Sequence, residues 1–387
     1  MMLMVAWSIC RSDAQQLVSG SNGSYGPLNI TENTTLPLPA DGVFHCTTLS
    51  IAANATLSFT RNGLNTPVYL LALGDVVVDG TIDVSGKTPA GVYQGGEGGP
   101  AGFDGGPGGF ASGDAKLPGG NGLGPGGGKH GTAGNGASGP DYNQAGSFGT
   151  PSSYNTATYG TSLLIPIIGG SGGGGADGGP VAGGGGGGGA ILIASNTRIQ
   201  INSTGLIQAN GGYSYYNDGS GGAIRLVAPR VYGTGVLSVV GGNGGGGGRM
   251  RIDSIYKYEP TASGTSLAFR YAPSTPGLIS IGSTMLVFPP NMPKLRLSEA
   301  AGSSIPESAP TAVRVELPLG TDPNRTVVVQ AKDFGAKVPI RVTLTPQSGD
   351  SISYDAEIDN STANPASATV NVTFPINQLV QVNAWSR

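Results

Sequence analysis

The sequence predicts an all-β protein in three parts: a parallel β-helix-like domain, a large glycine-rich insertion within it, and a C-terminal β-sandwich. Three observations predict this fold. Short runs of apolar residues alternate with polar ones, which is the period of a β-strand. One strand-and-turn unit recurs along the chain. Glycine accounts for 70 of the 387 residues and is densest between residues 87 and 189.

The composition narrows the class of protein. Charged residues make up 11% of the chain and the net charge is −3, whereas typical globular domains are about 25% charged. The recurring groups of Val, Ile and Leu are unlike a disordered polar chain. No run of basic residues interleaved with aromatics occurs, so no nucleic-acid partner is expected.

The N-terminus is interpreted as a signal peptide over residues 1–14. An apolar run from Met1 to Ile9 is followed by Ser12-Asp13-Ala14, which fits the small residues of a signal-peptidase site. The usual positive segment is missing, so the start of this leader is taken as truncated. The alternative is a disordered tail. This stretch and the composition predict an extracellular or cell-surface protein. Because no other apolar run reaches 18 residues, no transmembrane span is expected.

A repeated unit predicts the parallel domain over residues 15–286. Matching heptads are "GTIDVSG" at 80–86, "GLIQANG" at 205–211 and "GVLSVVG" at 235–241, and strands precede them. Strand starts at Ala190 and Ala223 are separated by 33 residues, which suits stacked coils of a parallel β-helix. The alternative is an antiparallel sandwich with very long loops.

Alternation predicts which side chains of this domain face inward. Cys46 lies in the alternating run "FHCTTLSI" and is predicted to be a buried core thiol. The other predicted inward residues are Leu49, Ile51, Leu57, Phe59, Val76, Val78, Ile82, Val84, Ile191, Ile193, Ile199, Ile201, Ile207, Ile224, Leu226, Leu237 and Val239.

The insertion at 87–189 has two interpretations. In "GEGGPAGFDGGPGGF", residues 96–110, glycine occupies every third position from Gly96 to Gly108. Collagen is excluded because it needs far more proline and many more triplets. One interpretation is a layer of extended polyglycine or polyproline-II-like chains with three residues per turn, which pack closely because one side is free of side chains. The other is disorder.

The C-terminal segment, residues 287–387, is predicted to be an immunoglobulin-like β-sandwich. Glycine becomes sparse there, and six short alternating runs are separated by turn signals such as Ser348-Gly349-Asp350, a pattern typical of such sandwiches. The predicted core residues are Val328, Ile340, Val342, Leu344, Val370, Val372 and Trp385.

Tyrosines supply the candidate binding residues. Tyrosine among glycine, serine and asparagine is the composition of antibody-like binding loops, although local packing onto the glycine segment is the competing interpretation. The candidates in the glycine-rich stretches are Tyr142, Tyr154, Tyr159, Tyr213, Tyr215 and Tyr216.

Carboxylates supply weaker candidates. Asp75, Asp79, Asp83 and Lys87 have the spacing of residues on one outer sheet, where β-helix enzymes that cut polysaccharides place acids and a base. The alternative is an ordinary solvated face. Three carboxylates of "YDAEID" share one strand face and are candidate ligands for calcium, the only cofactor considered. These are Asp355, Glu357 and Asp359.

Two further motifs have weaker implications. "GNGASG" at 134–139 lacks the strand and helix that a dinucleotide site requires, and neither histidine has a recognisable catalytic context. Eight Asn-x-Ser/Thr sequons occur, among them Asn22, Asn29, Asn54 and Asn371, and they matter if the host glycosylates secreted proteins.

The segments "GDVVVDGTIDVSG", "GGGGAILIASNTRIQINSTGLIQANGG" and "SGGAIRLVAPRVYGTGVLSVVGGNGG" resemble units of the glycine-rich, β-helix-like secreted proteins of bacteria over roughly residues 44–255. In composition alone, the insertion also resembles the polyglycine-type bundles of phage tail-tip adhesins. The resemblance implies no catalytic residues.

We therefore expect a non-enzymatic structural or adhesive protein that contacts cell-surface glycans or other surface proteins and can self-assemble. The alternatives are a carbohydrate-active β-helix enzyme and, lower still, an ice- or surface-binding protein, for which "TAT" at 156–158 is the only suggestive array.

Overall fold

The structure is a computed structural model that describes residues 17–91, 93–112, 115–131, 146–152, 155, 158–176, 183–215, 217–242, 244–256, 268–270, 277–288, 293–307 and 312–386; for 110–112, 115–116 and 268–270 it describes the backbone alone. Over these residues the chain is all-β, as predicted, and contains no helix. The strands up to residue 282 are β1 Gly26–Ile30, β2 Thr34–Pro37, β3 Val43–Ile51, β4 Thr56–Thr60, β5 Val68–Ala72, β6 Val76–Val78, β7 Thr81–Asp83, β8 Phe110–Ser112, β9 Ala115–Leu117, β10 Ala190–Ser195, β11 Arg198–Ile201, β12 Leu206–Gln208, β13 Ala223–Ala228, β14 Arg230–Gly233, β15 Val236–Ser238, β16 Arg249–Ser254, β17 Ala268–Arg270 and β18 Leu278–Gly282.

Apart from the antiparallel β8–β9 pair, these strands pair in parallel in two sheets. The first sheet has the order β14-β11-β6-β3-β5-β10-β13-β16-β18, with β1 also paired to β3, and the second has the order β17-β15-β12-β7-β4-β2. Each full repeat therefore adds two strands to the first sheet, as β10 and β11 do, and one strand to the second, as β12 does. The insertion separates β10 from the earlier strands in sequence. The first sheet is nevertheless continuous, because β10 pairs directly with β5.

The register confirms the repeat read from the sequence. Ala190 pairs with Ala223, and Ala223 with Arg249, so the strand starts are in register. In the second sheet Ile82 pairs with Ile207, which in turn pairs with Leu237. Equivalent apolar side chains therefore stack in columns, and each repeat buries the inward residues of its neighbour.

These columns form the main apolar core, and the prediction of its members is confirmed. Of the 17 residues predicted to face inward alongside Cys46, 16 belong to the buried cluster, and the remaining one, Phe59, is partly buried against it. Cys46 is 1% exposed, and burial raises the pKa of its thiol to about 11.

A second apolar layer covers the opposite face of the first sheet. Every residue of β10 and of β13 is buried, because both faces of these strands are covered. Leu192 and Val227 pack on this outer side against Phe148, Leu164 and Val287. Burial on both faces explains why the sequences of these strands are almost continuously apolar and do not alternate with polar residues.

The C-terminal strands form two four-stranded antiparallel sheets, with the orders β20-β19-β22-β25 and β21-β26-β23-β24. Residues of both sheets share one apolar core. The strands are β19 Lys294–Ala300, β20 Ser303–Ser304, β21 Arg314–Glu316, β22 Asn324–Lys332, β23 Lys337–Pro346, β24 Ile352–Asp359, β25 Ala366–Thr373 and β26 Leu379–Ser386.

Two residues predicted for this core are placed elsewhere, so those predictions are wrong. Val327 and Val329 are fully buried, whereas Val328 between them faces the other side. In a run of three valines the sequence does not indicate which parity faces the core. Trp385 lies outside the buried cluster and packs edge-on against Phe103 of the glycine-rich insertion, with ring centroids 6.4 Å apart.

Candidate functional site

The described glycine-rich segments form a hydrogen-bonded bundle, here called the glycine array, around the central segment 183–189. Successive N–H groups of this segment point in three directions in turn, towards segments 103–106, 217–220 and 84–87. The bonds are Gly184 N to Gly106 O (2.9 Å), Gly185 N to Asn217 O (2.7 Å), Gly186 N to Lys87 O (3.1 Å), Gly187 N to Phe103 O (2.8 Å), Gly188 N to Ser220 O (2.8 Å) and Gly189 N to Val84 O (2.7 Å).

The carbonyl groups of the same segment accept hydrogen bonds from three other directions. The donors lie in segments 96–99 and 170–173, at Gly212, and at Ala223, which continues the 217–220 segment. They are Gly96 N to Gly184 O (2.8 Å), Gly173 N to Gly185 O (2.9 Å), Gly212 N to Gly186 O (2.7 Å), Gly99 N to Gly187 O (2.9 Å), Gly170 N to Gly188 O (2.7 Å) and Ala223 N to Gly189 O (2.9 Å). A period of three with no bonds inside the segment is the geometry of an extended polyproline-II-type chain.

Space, rather than backbone conformation, requires glycine here. None of Gly183 to Gly189 has a φ in the left-handed region. A Cβ added to any of them would overlap the backbone of a neighbouring segment. Since all seven are also buried, the central segment is enclosed on every side and has room for no side chain.

Segments at the periphery keep side chains on one side only. In segment 94–99, Gln94 and Glu97 are exposed, whereas Gly96, Gly98 and Gly99 are buried. A chain with three residues per turn places every third residue on the same side. One side of segment 94–99 therefore faces outward and carries side chains, while its other two sides contact other segments of the same chain. This arrangement explains the glycine triplets of the sequence.

The predicted binding tyrosines divide into three groups. Tyr142, Tyr154 and Tyr216 lie outside the described residues. Tyr159 packs inward: its hydroxyl donates to Gly169 O at 2.8 Å, its ring lies 4.6 Å from that of Phe148, and burial raises its pKa. Its role is structural. Tyr213 and Tyr215 are exposed by 53% and 69%.

The exposed tyrosines lie at one end of the glycine array. Ser214, between Tyr213 and Tyr215, donates from its hydroxyl to Gly183 O at 2.7 Å. Gly183 begins the central segment, at the end away from β10. The carbonyl of Gln94 also contacts Gly183, and its neighbour Tyr93 is 54% exposed. Tyr93 was missed because it lies outside the tyrosine-dense stretches, although it directly precedes the first glycine triplets.

The predicted catalytic group is not brought together. Asp75 precedes β6 in the first sheet and binds Arg198 at 2.8 Å. Asp79 accepts a hydrogen bond from the Asn202 amide at 2.8 Å, and Asp83 ends β7 in the second sheet. Lys87 pairs with Glu97 at 2.5 Å. Asp75, Asp79 and Lys87 each bind a separate partner, so no acid–base pair is formed among them.

Two of the three predicted calcium ligands bind cationic side chains on the neighbouring strand. Arg341 binds Asp355 through two bonds of 2.6 and 2.8 Å. Lys337 donates to Glu357 at 2.9 Å, while Asp359 accepts from the N–H of Ser361. Over the described residues no group of three or more His, Cys, Asp or Glu could hold a metal ion. The geometry therefore favours cross-strand ion pairs.

The sequence did not single out the buried ionic cluster on the outer face of the first sheet. Asp253 is fully buried and binds Arg251 at 2.7 Å and Arg225 at 3.1 Å. Arg225 also donates to the carbonyls of Thr284 and Leu286, the latter at 2.7 Å. Burial lowers the pKa of Arg225. A visible signal was the pair of arginines at equivalent positions of two apolar strands.

This cluster joins three parts of the chain. Arg251 donates to the carbonyl of Ser162, in the insertion, at 3.1 Å, and the N–H of Thr284 donates to Asp253 at 3.0 Å. All the carboxylate bonds are made within the protein, so the cluster fastens the insertion and segment 284–287 to the sheet.

The C-terminal sheets contact the side of the glycine array. Besides the Trp385–Phe103 contact, Gly349 N donates to Gly119 O at 3.2 Å and the Ser348 hydroxyl donates to Pro118 O at 2.9 Å. The array is therefore held between the parallel sheets and the C-terminal sheets.

No family model, curated protein or solved structure matches this chain. In the part of the chain that the structure describes, there is no helix with the length and apolar character needed to cross a membrane.

Proposed function

We propose that this chain is an exported, non-enzymatic structural or adhesive protein of the cell surface or extracellular space. Its contacts would be made by exposed tyrosines at the end of the glycine array. The partners we propose are surface glycans or other surface proteins, because tyrosine offers a rigid apolar ring with a polar tip to both.

The architecture we propose is a parallel β-helix-like domain that supports the array, followed by an immunoglobulin-like β-sandwich. The recurring parallel register and the common apolar columns support the first part. Two antiparallel sheets with one shared core support the second. In this arrangement the β-helix-like domain supports the array, and the sandwich contacts the array from the side.

The observation that carries the proposal is that Gln94 and Ser214 both contact Gly183, which brings the turn of Tyr93 and the turn of Tyr213 and Tyr215 to the same end of the array. Each tyrosine has about half or more of its surface exposed. Large exposed aromatic side chains are typical of contact surfaces. Tyr93 is more than 100 residues from Tyr213 and Tyr215 in sequence, so its approach to their turn is a product of the fold.

The rigidity of the array supports the same function. Its central segment makes a backbone hydrogen bond at every N–H from Gly184 to Gly189. Contact residues on a rigid support lose little conformational freedom on binding, which favours affinity. The central segment has no room for side chains. Side chains that point in several directions can therefore be carried by the turns at the end of the array.

The polysaccharide-cleaving alternative receives less support, because Asp79 and Lys87 have separate partners. Purified protein incubated with a panel of polysaccharides should release no product. Cleavage that is lost in Asp79→Asn would favour the enzyme instead. For ice or surface binding, most of the "TAT" array at 156–158 lies outside the described residues.

Binding to whole cells and to a glycan array tests the proposal. The triple variant Tyr93→Ser, Tyr213→Ser, Tyr215→Ser should lose at least tenfold in retention. The matched control is Tyr256→Ser, since Tyr256 is 47% exposed but lies just after β16, outside the array. Equal retention of the triple variant and the unmodified protein, or no retention of either, would contradict the proposal.

A further inference from the structure

The eight sequons fall into two structural groups. In six of them the asparagine is exposed and its Nδ2 donates no hydrogen bond to any described residue; these are Asn22, Asn29, Asn33, Asn54, Asn324 and Asn371. The other two asparagines are half-buried and use Nδ2: Asn202 donates to Asp79 at 2.8 Å and Asn360 donates to Gly335 O at 3.4 Å.

We propose that the six exposed asparagines carry N-linked glycans and that these glycans cover the sheet edges and leave the glycine array bare. The proposal rests on the proposed export, because N-glycosylation requires entry into a secretory pathway. It also requires a host that glycosylates secreted proteins.

The chemistry needs an oligosaccharide linked to a lipid pyrophosphate as donor. The side-chain Nδ2 attacks the anomeric carbon of the sugar. The new C–N bond forms as the bond from that carbon to the pyrophosphate oxygen breaks, the lipid pyrophosphate leaves with the electron pair, and Nδ2 loses one proton to a base. The folded protein must then accommodate the sugar, which an exposed Nδ2 allows and an engaged one opposes.

Four of the six sites surround the first strands of the parallel sheets. Asn29 lies in β1, whose partner among the described strands is β3. Asn33 directly precedes β2, the last strand of the second sheet. Asn22 lies in the turn before β1, where its Oδ1 accepts from Ser24 N at 2.9 Å, and Asn54 lies in the turn between β3 and β4. An edge strand presents backbone groups to other chains, and glycans here would block such pairing.

The other two sites lie together on the C-terminal sheets. Asn324 and Thr373 are cross-strand partners, as are Thr326 and Asn371, so the two sequons face each other. Thr373 donates to Asn324 Oδ1 at 3.0 Å. Both asparagines line a shallow groove of about 540 Å³, and β25, which carries Asn371, is the edge strand of its sheet.

Asparagines of the glycine array have the opposite character. Asn155 and Asn217 are buried, and their Nδ2 groups donate to Gly126 O at 3.0 Å and to Gly174 O at 2.6 Å. Neither lies in a sequon, and no sequon occurs between residues 55 and 201. Glycans would therefore be kept away from the array and from its exposed tyrosines.

Expression in cultured eukaryotic cells tests the proposal, with two forms of the full chain: one with its own N-terminus and one with an added strong signal sequence. Secreted protein is treated with an amidase that removes N-glycans, and the sites are mapped by peptide mass spectrometry. We expect six occupied sites and six steps of electrophoretic mobility. Each single Asn→Gln change at these positions should remove one step, whereas Asn202→Gln and Asn360→Gln should remove none.

The two forms separate this proposal from the proposed export. If only the form with the added signal sequence carries glycans, the result supports the glycosylation sites and contradicts export by the native N-terminus. Secretion of unglycosylated protein in both forms would overturn the glycosylation proposal and leave export standing. Occupancy of Asn202 and Asn360 in preference to the six would also overturn it.

Discussion

Substitution of one central glycine by alanine tests whether space accounts for the glycine array. At Gly184 an added Cβ would overlap the carbonyl of Gly173 and would lie 2.8 Å from the Gly174 oxygen. The Gly173 carbonyl accepts a hydrogen bond from Gly106 N at 2.8 Å, and Gly184 N donates to Gly106 O at 2.9 Å. Moving the chains apart would therefore strain two hydrogen bonds as well as the packing.

The expected loss follows from these contacts. Overpacking a tight interior costs about 1–3 kcal/mol, and each lost hydrogen bond costs about 0.5–1.5 kcal/mol. Alanine restricts the unfolded chain, which returns about 0.4–1 kcal/mol. The balance is a destabilisation of about 3 kcal/mol for Gly184→Ala.

The matched control is Gly335→Ala. Gly335 has no heavy atom within 4 Å of the position of an added Cβ, and its φ lies outside the left-handed region, so the unfolded-state term alone predicts a gain of about 0.4–1 kcal/mol. Urea unfolding followed by circular dichroism and by Trp385 fluorescence measures both changes. If the two variants agree to within about 0.5 kcal/mol, which is the ordinary range for surface changes, close packing does not explain the glycines.

Two further predictions concern the buried groups. Asp253→Ala should destabilise the protein by about 3–5 kcal/mol, because Arg225 and Arg251 would remain buried without their carboxylate. As a control, loss of the exposed Arg341–Asp355 pair in Asp355→Asn should cost about 1 kcal/mol or less. Similar urea midpoints for the two variants would contradict this reasoning. Cys46 should resist a thiol reagent at pH 8 in the native state of Cys10→Ser protein and react once unfolded, because burial raises its pKa to about 11. The folded state then holds the thiol proton more tightly than the unfolded state, so stability falls as the pH rises from about 9 towards about 11; rapid native labelling at pH 8 would show that the thiol is accessible.

Local pattern sufficed for the parallel strands. Ile191 and Ile193 alternate with residues of the other face, and so do Ile82 and Val84, because a strand side chain alternates with period two. The sequence therefore predicted which residues enter the main core. It did not predict the apolar layer on the outer face, since an unbroken apolar run such as β10 does not indicate what covers its second side.

The candidate site was predictable only in part. Tyr213 and Tyr215 were selected by composition, and their exposure agrees with a contact role. Tyr93 was missed, and Tyr159, selected by the same composition, is packed inward against Phe148. Composition does not indicate the direction of a side chain, because the neighbours that decide it are about ten or more residues away, as Gly169 is from Tyr159.

The sequence by itself determined the all-β class, the repeated unit, the inward columns and the glycine triplets. Those features depend on backbone period and on residue size, which are local properties. Only the tertiary structure decided that Gly183–Gly189 would be enclosed by six other segments, that Val327 and Val329 rather than Val328 would enter the C-terminal core, and that Trp385 would contact Phe103. Each depends on groups far apart in sequence, because contact between separate chain segments decides which side of a strand has room for a side chain.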